Sequence, residues 1–205
     1  MDSYFKIARP GEAKVTEKMS RFLAFAVPIN DAEEARTHIK RIQNDYHDAR
    51  HVCWAYMLGA QMADFQLNDN GEPSGTAGKP ILGQIRSHGV TDVLVAVVRY
   101  FGGIKLGTSG LIAAYRQAAS DALDDAGRME VHQMIGACVE VPYITLDNIM
   151  RIIKVEEDRM TLKVIERVFN NVCLFRLSLR ADFADEILGK MRATEGAIVK
   201  REDQS

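Results

Sequence analysis

The sequence predicts an α+β protein built from two domains, and three observations support this prediction. First, the residues from Val93 to Arg99 are β-branched and apolar on both alternating faces, which is typical of a central strand covered on both sides. Second, a glycine-rich turn follows this strand and leads into a long helical pattern. Third, beyond residue 133 the predicted elements follow the order βαββαβ. The length of 205 residues fits one large or two small domains.

The first domain is predicted to contain four strands and three helices. The strands are apolar runs bounded by turn residues, at 21–29, 51–59, 63–67 and 93–99. The helices are expected at 32–46, about 77–87 and 108–126, the last ending at Gly127. We expect Asn30 to cap the first helix, with Glu33 as its reciprocal partner. The third helix should pack on the sheet through Leu111, Ala114, Tyr115, Ala118, Ala122 and Leu123.

The second domain is predicted to contain four strands and two helices. The strands are expected at 134–142, 160–169, 172–179 and 197–201, with helices at 146–156 and 183–191 between them. Asp182 is the expected cap of the second helix, and Asn170-Asn171 should form a two-residue turn with positive φ. The order βαββαβ is that of the ferredoxin-like split unit. We place the boundary within residues 128–133, which gives domains of 1–130 and 131–205.

The composition favours a cytoplasmic protein without a resident metal or cofactor. The net charge is −2, so any contact with nucleic acid must come from a local patch. Cys53, Cys138 and Cys173 are far apart and lie among apolar residues, which indicates buried thiols in a reducing compartment rather than disulfides or a zinc site. No apolar run is long enough to span a bilayer, and the first residues lack a signal-peptide pattern. We expect no membrane contact.

The turn from Gly102 to Gly110 joins the buried strand to a helix N-terminus. The free N–H groups of a first helical turn and the helix dipole favour an anion or phosphate there. Gly107, Thr108 and Ser109 form the turn and add hydroxyl donors, and Lys105 adds a positive charge. The lysine of a Walker A loop and the spacing of a Rossmann motif are both missing. The alternative is a tight turn that packs without a ligand.

The preceding turn offers a second group of polar residues. The group consists of Asp69, Glu72, Thr76 and Lys79, and its carboxylate pair beside a lysine could coordinate a metal or transfer protons. The structural interpretation is favoured: Glu72 caps backbone N–H groups while Lys79 neutralises it. We therefore assign no metal ligand and no catalytic residue to this turn.

Two further positions near the predicted strand ends carry candidate binding groups. In the segment Asp48-Ala49-Arg50-His51, a histidine beside arginine and aspartate could act as a general base, or the segment could be a hydrogen-bonded corner. Arg99 and Tyr100 end the central strand beside the second glycine turn, so Arg99 is a candidate for binding an anion or a partner's carboxylate.

The second domain offers four cations on neighbouring strands. Lys163 and Arg167 on one strand and Arg176 and Arg180 on the next are expected on the uncovered sheet face. Phe175 falls in the apolar register, toward the helices, so the aromatic signature of RNA-binding sheets is missing. We interpret this face as a solvated basic surface, with a weak phosphate contact left open.

Four segments together resemble the IMPACT family in its bacterial YigZ-type form. They are RF at 21–22, DARH at 48–51, DNGEPSGTAGKP at 69–80 and VRYFGGIKLGTSGL at 98–111. The family usually has Asp-Asp-Gly-Glu-Pro, and Asn70 replaces the second aspartate here, which weakens any metal site built on both acids. The second domain matches in length and element order rather than in residues.

The resemblance implies a first domain like domain 2 of ribosomal protein S5 and a second domain similar to one from a translation elongation factor. Both of those relatives contact RNA, and eukaryotic family members regulate translation by binding a protein that activates a stress kinase. It therefore implies a translation-associated regulatory binding protein without firm catalytic activity, which contacts RNA, the ribosome or a translation-regulatory protein. The alternatives are an enzyme acting on a phosphorylated or nucleotide ligand at Gly102–Gly110, and a protein-interaction module anchored by Arg99 and Tyr100. The candidate binding residues are Arg50, His51, Asp69, Glu72, Thr76, Lys79, Arg99, Tyr100, Lys105, Gly107, Thr108 and Ser109.

Overall fold

The computed structural model describes residues 3–202 and divides the chain into two compact units. One unit comprises residues 4–131, and the other comprises residues 132–202 together with Ser3. The described part of the chain is a mixed α/β structure with five α-helices and three sheets. None of the helices within residues 3–202 is both long enough and apolar enough to cross a membrane.

The first unit is built on a five-stranded antiparallel sheet with the strand order β2-β3-β6-β4-β5. A separate two-stranded sheet pairs β1 with β7. The elements up to β7 are β1 (Ser3–Ile7), β2 (Gly11–Glu17), β3 (Ser20–Pro28), α1 (Ala32–Asp45), β4 (His51–Leu58), β5 (Asp64–Asn68), α2 (Gly78–His88), β6 (Val93–Tyr100), α3 (Gly107–Ala126) and β7 (Arg128–His132).

Strand β6 lies at the centre of this sheet and is covered on both faces, as its sequence predicts. Val93, Val95 and Val97 pack into the core formed with α2 and α3. The alternate residues, such as Leu94 and Ala96, pack against residues of α1 on the other face. All six residues predicted for the inward face of α3 are buried. The alanines among them allow the helix to pack closely on the sheet.

The cap of α1 differs by one residue from the prediction. Asp31, rather than Asn30, is the N-cap, and its carboxylate accepts a hydrogen bond from the Glu34 N–H at 2.8 Å. The Glu34 carboxylate accepts a hydrogen bond from the Asn30 N–H in return. The reciprocal partner is therefore Glu34 rather than Glu33. An aspartate caps as well as an asparagine, so composition did not decide between these neighbours.

Three strands of the structure have no counterpart in the predictions, namely β1, β2 and β7. Strand β7 occupies most of the segment that was interpreted as the domain boundary. Strand β2 lies at the edge of its sheet, and its sequence GEAKVTE combines a glycine with alternating small and charged residues. Short strands of this composition resemble loops in the sequence, because they bury few apolar side chains.

The second unit contains one four-stranded antiparallel sheet with the order β11-β8-β10-β9. Its elements follow the predicted order βαββαβ: β8 (Met134–Val141), α4 (Leu146–Asp158), β9 (Leu162–Phe169), β10 (Cys173–Arg180), α5 (Ala181–Arg192) and β11 (Ile198–Glu202). A 3₁₀ turn, Tyr143–Thr145, precedes α4. The inward residues of the strands and of both helices form one core, in which Phe175 is fully buried as expected.

Two local predictions for the second unit are wrong. The connection between β9 and β10 is a loop of residues 170–172, in which Asn170 N–H donates to the Val172 carbonyl, and neither asparagine has a positive φ. Helix α5 begins at Ala181, with Arg180 as its cap residue. The Asp182 carboxylate does not cap the helix and instead accepts two hydrogen bonds from the Arg180 guanidinium.

The outer face of the second sheet is not the basic surface that the sequence predicts. Arg176 lies between two carboxylates, 3.2 Å from Glu166 and 3.1 Å from Glu202. A register shift beside Arg176 places Arg167 opposite the buried Phe175, which is the helix side of the sheet. Much of the positive charge predicted for this face is therefore neutralised or lies on the other face. The structure gives little support to a phosphate contact there.

Candidate functional site

The two glycine-rich turns follow β5 and β6, which lie on either side of β4 in the sheet, and residues of both turns line one cleft. His51 at the start of β4 is paired with Arg99 near the end of β6. The cleft has a volume of about 390 Å³ and contains both polar and apolar side chains. Its lining residues are Arg50, His51, Glu72, Pro73, Arg99, Phe101, Lys105, Leu106, Gly107, Thr108 and Leu111. Seven of the twelve predicted binding residues are in this lining.

Asp69 organises the first glycine turn and is not free to bind a ligand. Its carboxylate accepts hydrogen bonds from the N–H groups of Gly75, Ala77 and Gly78 at 2.8–3.0 Å. Burial opposes ionisation of Asp69, but these three donors and the charge of Lys79 outweigh it and hold the pKa of the carboxyl below its usual value. Asp69 therefore fixes the start of α2.

Other residues of the first turn are also structural. The Thr76 hydroxyl donates to the Pro73 carbonyl at 2.6 Å. The predicted roles of Glu72 and Lys79 are wrong: Asp69, not Glu72, caps the backbone, and Glu72 pairs with Arg99 instead of Lys79. Within residues 3–202, no group of three or more His, Cys, Asp or Glu side chains could hold a metal ion.

A buried polar network forms the floor of the cleft. Arg99 Nη1 donates to Glu72 Oε1 at 2.7 Å, and the Tyr115 hydroxyl donates to the same oxygen at 2.9 Å. The side chains of Arg99 and Glu72 are only 7% and 3% exposed. The Cys53 thiol lies 3.3 Å from the Tyr115 hydroxyl oxygen. Burial raises the pKa of Tyr115 well above its usual value, and the neighbouring Cys53 and Glu72 raise it further.

The network is electrically neutral overall, because one carboxylate faces one guanidinium. Rings of Phe22 and Phe101 each lie 5.6 Å from the Arg99 guanidinium and complete its surroundings. Arg99 therefore stabilises the floor of the cleft rather than offering an unpaired charge to a ligand. Tyr100 is on the opposite face of β6, where its hydroxyl donates to Asp48 at 2.7 Å. Arg99 and Tyr100 do not form a joint anchor for a partner protein.

His51 presents a free ring nitrogen at the cleft wall. Its Nδ1 lies 2.9 Å from the carbonyl oxygen of Asn70, which can only accept. The neutral ring therefore has its proton on Nδ1, which leaves the lone pair on Nε2. The neighbouring Arg50 is exposed at the rim.

The N-terminus of α3 opens into the same cleft without a capping side chain. Gly107 begins the helix with a φ of +71°, a conformation that favours glycine. Leu106 is the cap residue, no acidic side chain occurs in the first turn, and Thr108 and Ser109 are exposed. Lys105 is exposed beside them and forms no ion pair within the described chain. This end of α3 can accept an anion.

Sequence reasoning missed several residues that shape the site. Tyr115 was predicted only as part of the inward face of α3, and Cys53 only as a buried thiol. A tyrosine on an alanine-rich buried face was a usable signal, because a buried phenol needs a hydrogen-bond partner. Phe101 was not singled out, although it is 55% exposed at the edge of the cleft.

Comparisons with known proteins assign these turns to a family. The family model described as the Impact N-terminal domain matches residues 18–123, which is more than half of the chain and includes both glycine turns. The chain is 38% identical over 130 residues to IMPACT family member YvyE of Bacillus subtilis, covering 63% of this chain and 60% of that protein. It is 40% identical over 125 residues to IMPACT family member YigZ of Escherichia coli, covering 60% and 61%.

A third relative agrees with this assignment, and a solved structure has a similar fold. An IMPACT family member of Haemophilus influenzae is 41% identical over 108 residues, covering 52% of each chain. The matches thus span about half to three fifths of the relatives' length. A crystal structure described as that of a hypothetical protein is 28% identical, with a TM-score of 0.72 and complete coverage of both chains.

Proposed function

The chain belongs to the family of the Impact N-terminal domain, and from this premise we propose that it acts in the regulation of translation by binding RNA or the ribosome at the cleft between the two glycine turns. Its motifs and its sequence identity to YvyE and YigZ tie the chain to the IMPACT family, for which the resemblance implies a role in translation. The ligand groups held at the cleft would be phosphates of the RNA backbone.

The observation that carries this proposal is the uncapped start of α3 beside Lys105 and Arg50. Three sources of positive potential meet there, in a protein whose net charge is −2. The N–H groups of the first turn and the Thr108 hydroxyl can donate to phosphate oxygens. The two side chains supply charge, and the neutral Glu72–Arg99 pair holds the wall in place.

The fold gives the proposal further support. The strand order β11-β8-β10-β9 in a βαββαβ unit fits the ferredoxin-like fold. We propose that the first unit has the architecture of domain 2 of ribosomal protein S5. Both expected relatives contact RNA, but a shared fold does not transfer a function, so the site itself has to be tested.

Binding of the purified chain to ribosomes and to a structured RNA tests this function. Affinity should fall steeply with salt, because phosphate contacts release counterions. Lys105→Ala should weaken binding about fivefold at 0.1 M salt, which corresponds to the loss of one phosphate contact. Lys40→Ala is the matched control, since this exposed lysine lies on α1, on the other face of the sheet. Salt-insensitive binding, or no binding by the purified chain, would refute the proposal.

A second candidate function is an enzyme that acts on a phosphorylated or nucleotide ligand. The observation that favours it is His51, whose Nε2 lone pair is available at the wall of a cleft large enough for a small molecule. Calorimetry with a panel of nucleotides and sugar phosphates distinguishes the two functions. Absence of both heat and thermal stabilisation across the panel would exclude the enzyme.

A further inference from the structure

We propose that the first unit binds a single strand of nucleic acid along a cationic groove, formed by three successive depressions, that runs from Arg21, through the cleft, to Arg116. This inference rests on the proposed function and makes it more specific. It names the form of the nucleic acid and extends the contact surface beyond the cleft on both sides.

The first observation is that three depressions follow one another on the surface of the first unit. The cleft shares Arg50, Arg99 and Phe101 with a neighbouring depression around the end of β6. That depression is completed by Met19, Arg21, Asp48 and Tyr100. On the other side, a third depression shares no lining residue with the cleft but begins one or two residues further along the chain at both glycine turns. Pro73 and Leu111 of the cleft are followed by Gly75 and Ile112 of the third depression.

Helix α3 gives this path a direction and a length. Thr108, Ile112 and Arg116 are four residues apart and share one face of the helix. Thr108 lines the cleft, whereas Ile112 and Arg116 line the third depression with Lys79. The eight-residue step from Thr108 to Arg116 spans about 12 Å. This part of the groove alone is therefore longer than a single phosphate contact requires.

The second observation is the charge of the groove. Five of its cations have exposed side chains and form no ion pair within residues 3–202: Arg21, Arg50, Lys79, Lys105 and Arg116. Its two acids are Glu72, which Arg99 neutralises, and Asp48, which accepts a hydrogen bond from the Tyr100 hydroxyl and keeps its negative charge, so the five cations remain in excess. Elsewhere, some exposed arginines, such as Arg9 and Arg36, are paired with carboxylates, whereas others, such as Arg41, form no ion pair within residues 3–202 but lie apart from the groove.

Because the protein as a whole has a net charge of −2, this concentration of unpaired cations is local. A polyanion that follows the groove gains attraction at several points, whereas a compact anion contacts only one. An extended phosphodiester chain is therefore the partner that the charge pattern fits.

The third observation concerns stacking. Phe101 is 55% exposed at the junction of the cleft and the first depression. Its ring lies 5.6 Å from the Arg99 guanidinium, which holds an aromatic and a cationic group together. Exposed aromatic rings in cationic grooves stack the bases of single strands, and paired bases in a duplex cannot reach them. The groove thus fits a single strand better than a duplex.

Fluorescence anisotropy with a labelled single-stranded RNA of about twelve nucleotides, a length within the range of known single-strand sites, tests the groove. If all five cations contact phosphates, the slope of log K against log salt should be about −3.5, at about 0.7 per contact. The double variant R21A/R116A removes the two ends of the groove. It should make the slope shallower, at about −2.1, and should weaken the affinity about 25-fold at 0.1 M salt.

Phe101→Ala should lower affinity about tenfold and leave the salt slope unchanged, because stacking releases no counterions. Lys40→Ala serves again as the control, and thermal melting of each variant verifies that the unit is folded. The same RNA annealed to its complement should bind more weakly than the single strand.

Several results would overturn the groove. If Lys105→Ala weakens binding while R21A/R116A keeps both affinity and slope, only the cleft binds RNA, and the proposed function stands without the groove. Equal affinity for the duplex, or for an acidic polypeptide of similar charge, would refute the single strand as partner. Absence of RNA binding altogether would refute the groove and the proposed function together.

Discussion

Removing one partner of the buried Glu72–Arg99 ion pair should lower the free energy of unfolding of the first unit by about 3–5 kcal/mol. Both side chains are more than nine-tenths buried, at 3% and 7% exposure, and their hydrogen bond is 2.7 Å long. Arg99→Met leaves the Glu72 carboxylate without its counter-charge, in contact only with the Tyr115 hydroxyl. Glu72→Met leaves the guanidinium buried and unpaired, which costs a similar amount.

The double variant E72M/R99M should be much more stable than the two single variants predict. It removes both charges and replaces them with flexible apolar chains, a change that is often nearly neutral. The remaining penalty is the loss of the Tyr115 acceptor, about 1–3 kcal/mol. The single variants together predict a loss of about 6–10 kcal/mol, so the coupling energy should be several kcal/mol.

Urea unfolding followed by tryptophan fluorescence measures these differences. Trp54 is the single tryptophan of the chain and lies on β4, opposite Ala96 of the central strand. Its emission therefore reports the first unit. Wild-type and variant m-values should agree, so that midpoints can be compared. If the losses of the single variants add within about 0.5 kcal/mol in the double variant, the two residues are not coupled and the interpretation is wrong.

Three further predictions concern the first unit. Asp69 has a lowered pKa in the folded chain, so its stabilising effect is complete above its unfolded pKa of about 4 and is lost as the pH falls toward the lower folded value. In Asp69→Asn, the urea midpoint should therefore depend less on pH below about pH 5, and a pH profile equal to that of the wild type would contradict this. Gly102→Ala should destabilise by about 3 kcal/mol, since its Cβ would lie 2.0 Å from the Met19 carbonyl carbon. Gly83→Ala, with nothing within 4 Å, should instead stabilise α2 by about 0.5–1 kcal/mol, and equal midpoints for these two variants would refute the distinction. Burial raises the pKa of Cys53 to about 12, so a thiol reagent at pH 8 should modify this residue only after unfolding. Rapid modification of Cys53 in the native chain, mapped by mass spectrometry, would contradict this prediction.

The secondary structure was predicted best where one pattern dominated a long segment. The central strand at Val93–Tyr100 and helix α3 both have a single apolar periodicity, because each buries a large surface in one core. The edge strand β2 was missed, because its sequence GEAKVTE has too few large apolar residues to make a strand recognisable.

The sequence predicted which turns meet at the cleft but not which of their side chains are hydrogen-bonded to each other. The glycine turns identified the cleft, because backbone conformations such as that of Gly107 require specific residue types. Which carboxylate caps α2 and which pairs with Arg99 depended on three-dimensional distances. Asp69 and Glu72 are only three positions apart and are chemically equivalent in the sequence, so their separate roles could not be assigned from it.

The position of β6 in the sheet determines the order in which the first unit can fold during synthesis. Strands β3 and β4 both pair with β6, yet β6 is the last of the five strands to leave the ribosome. Before then, the hairpins β2–β3 and β4–β5 can form but cannot join, and each exposes one unpaired apolar edge. Completion of the sheet must wait for residues 93–100, which insert between two preformed halves. Nascent chains that end before β6 should therefore depend most strongly on chaperones.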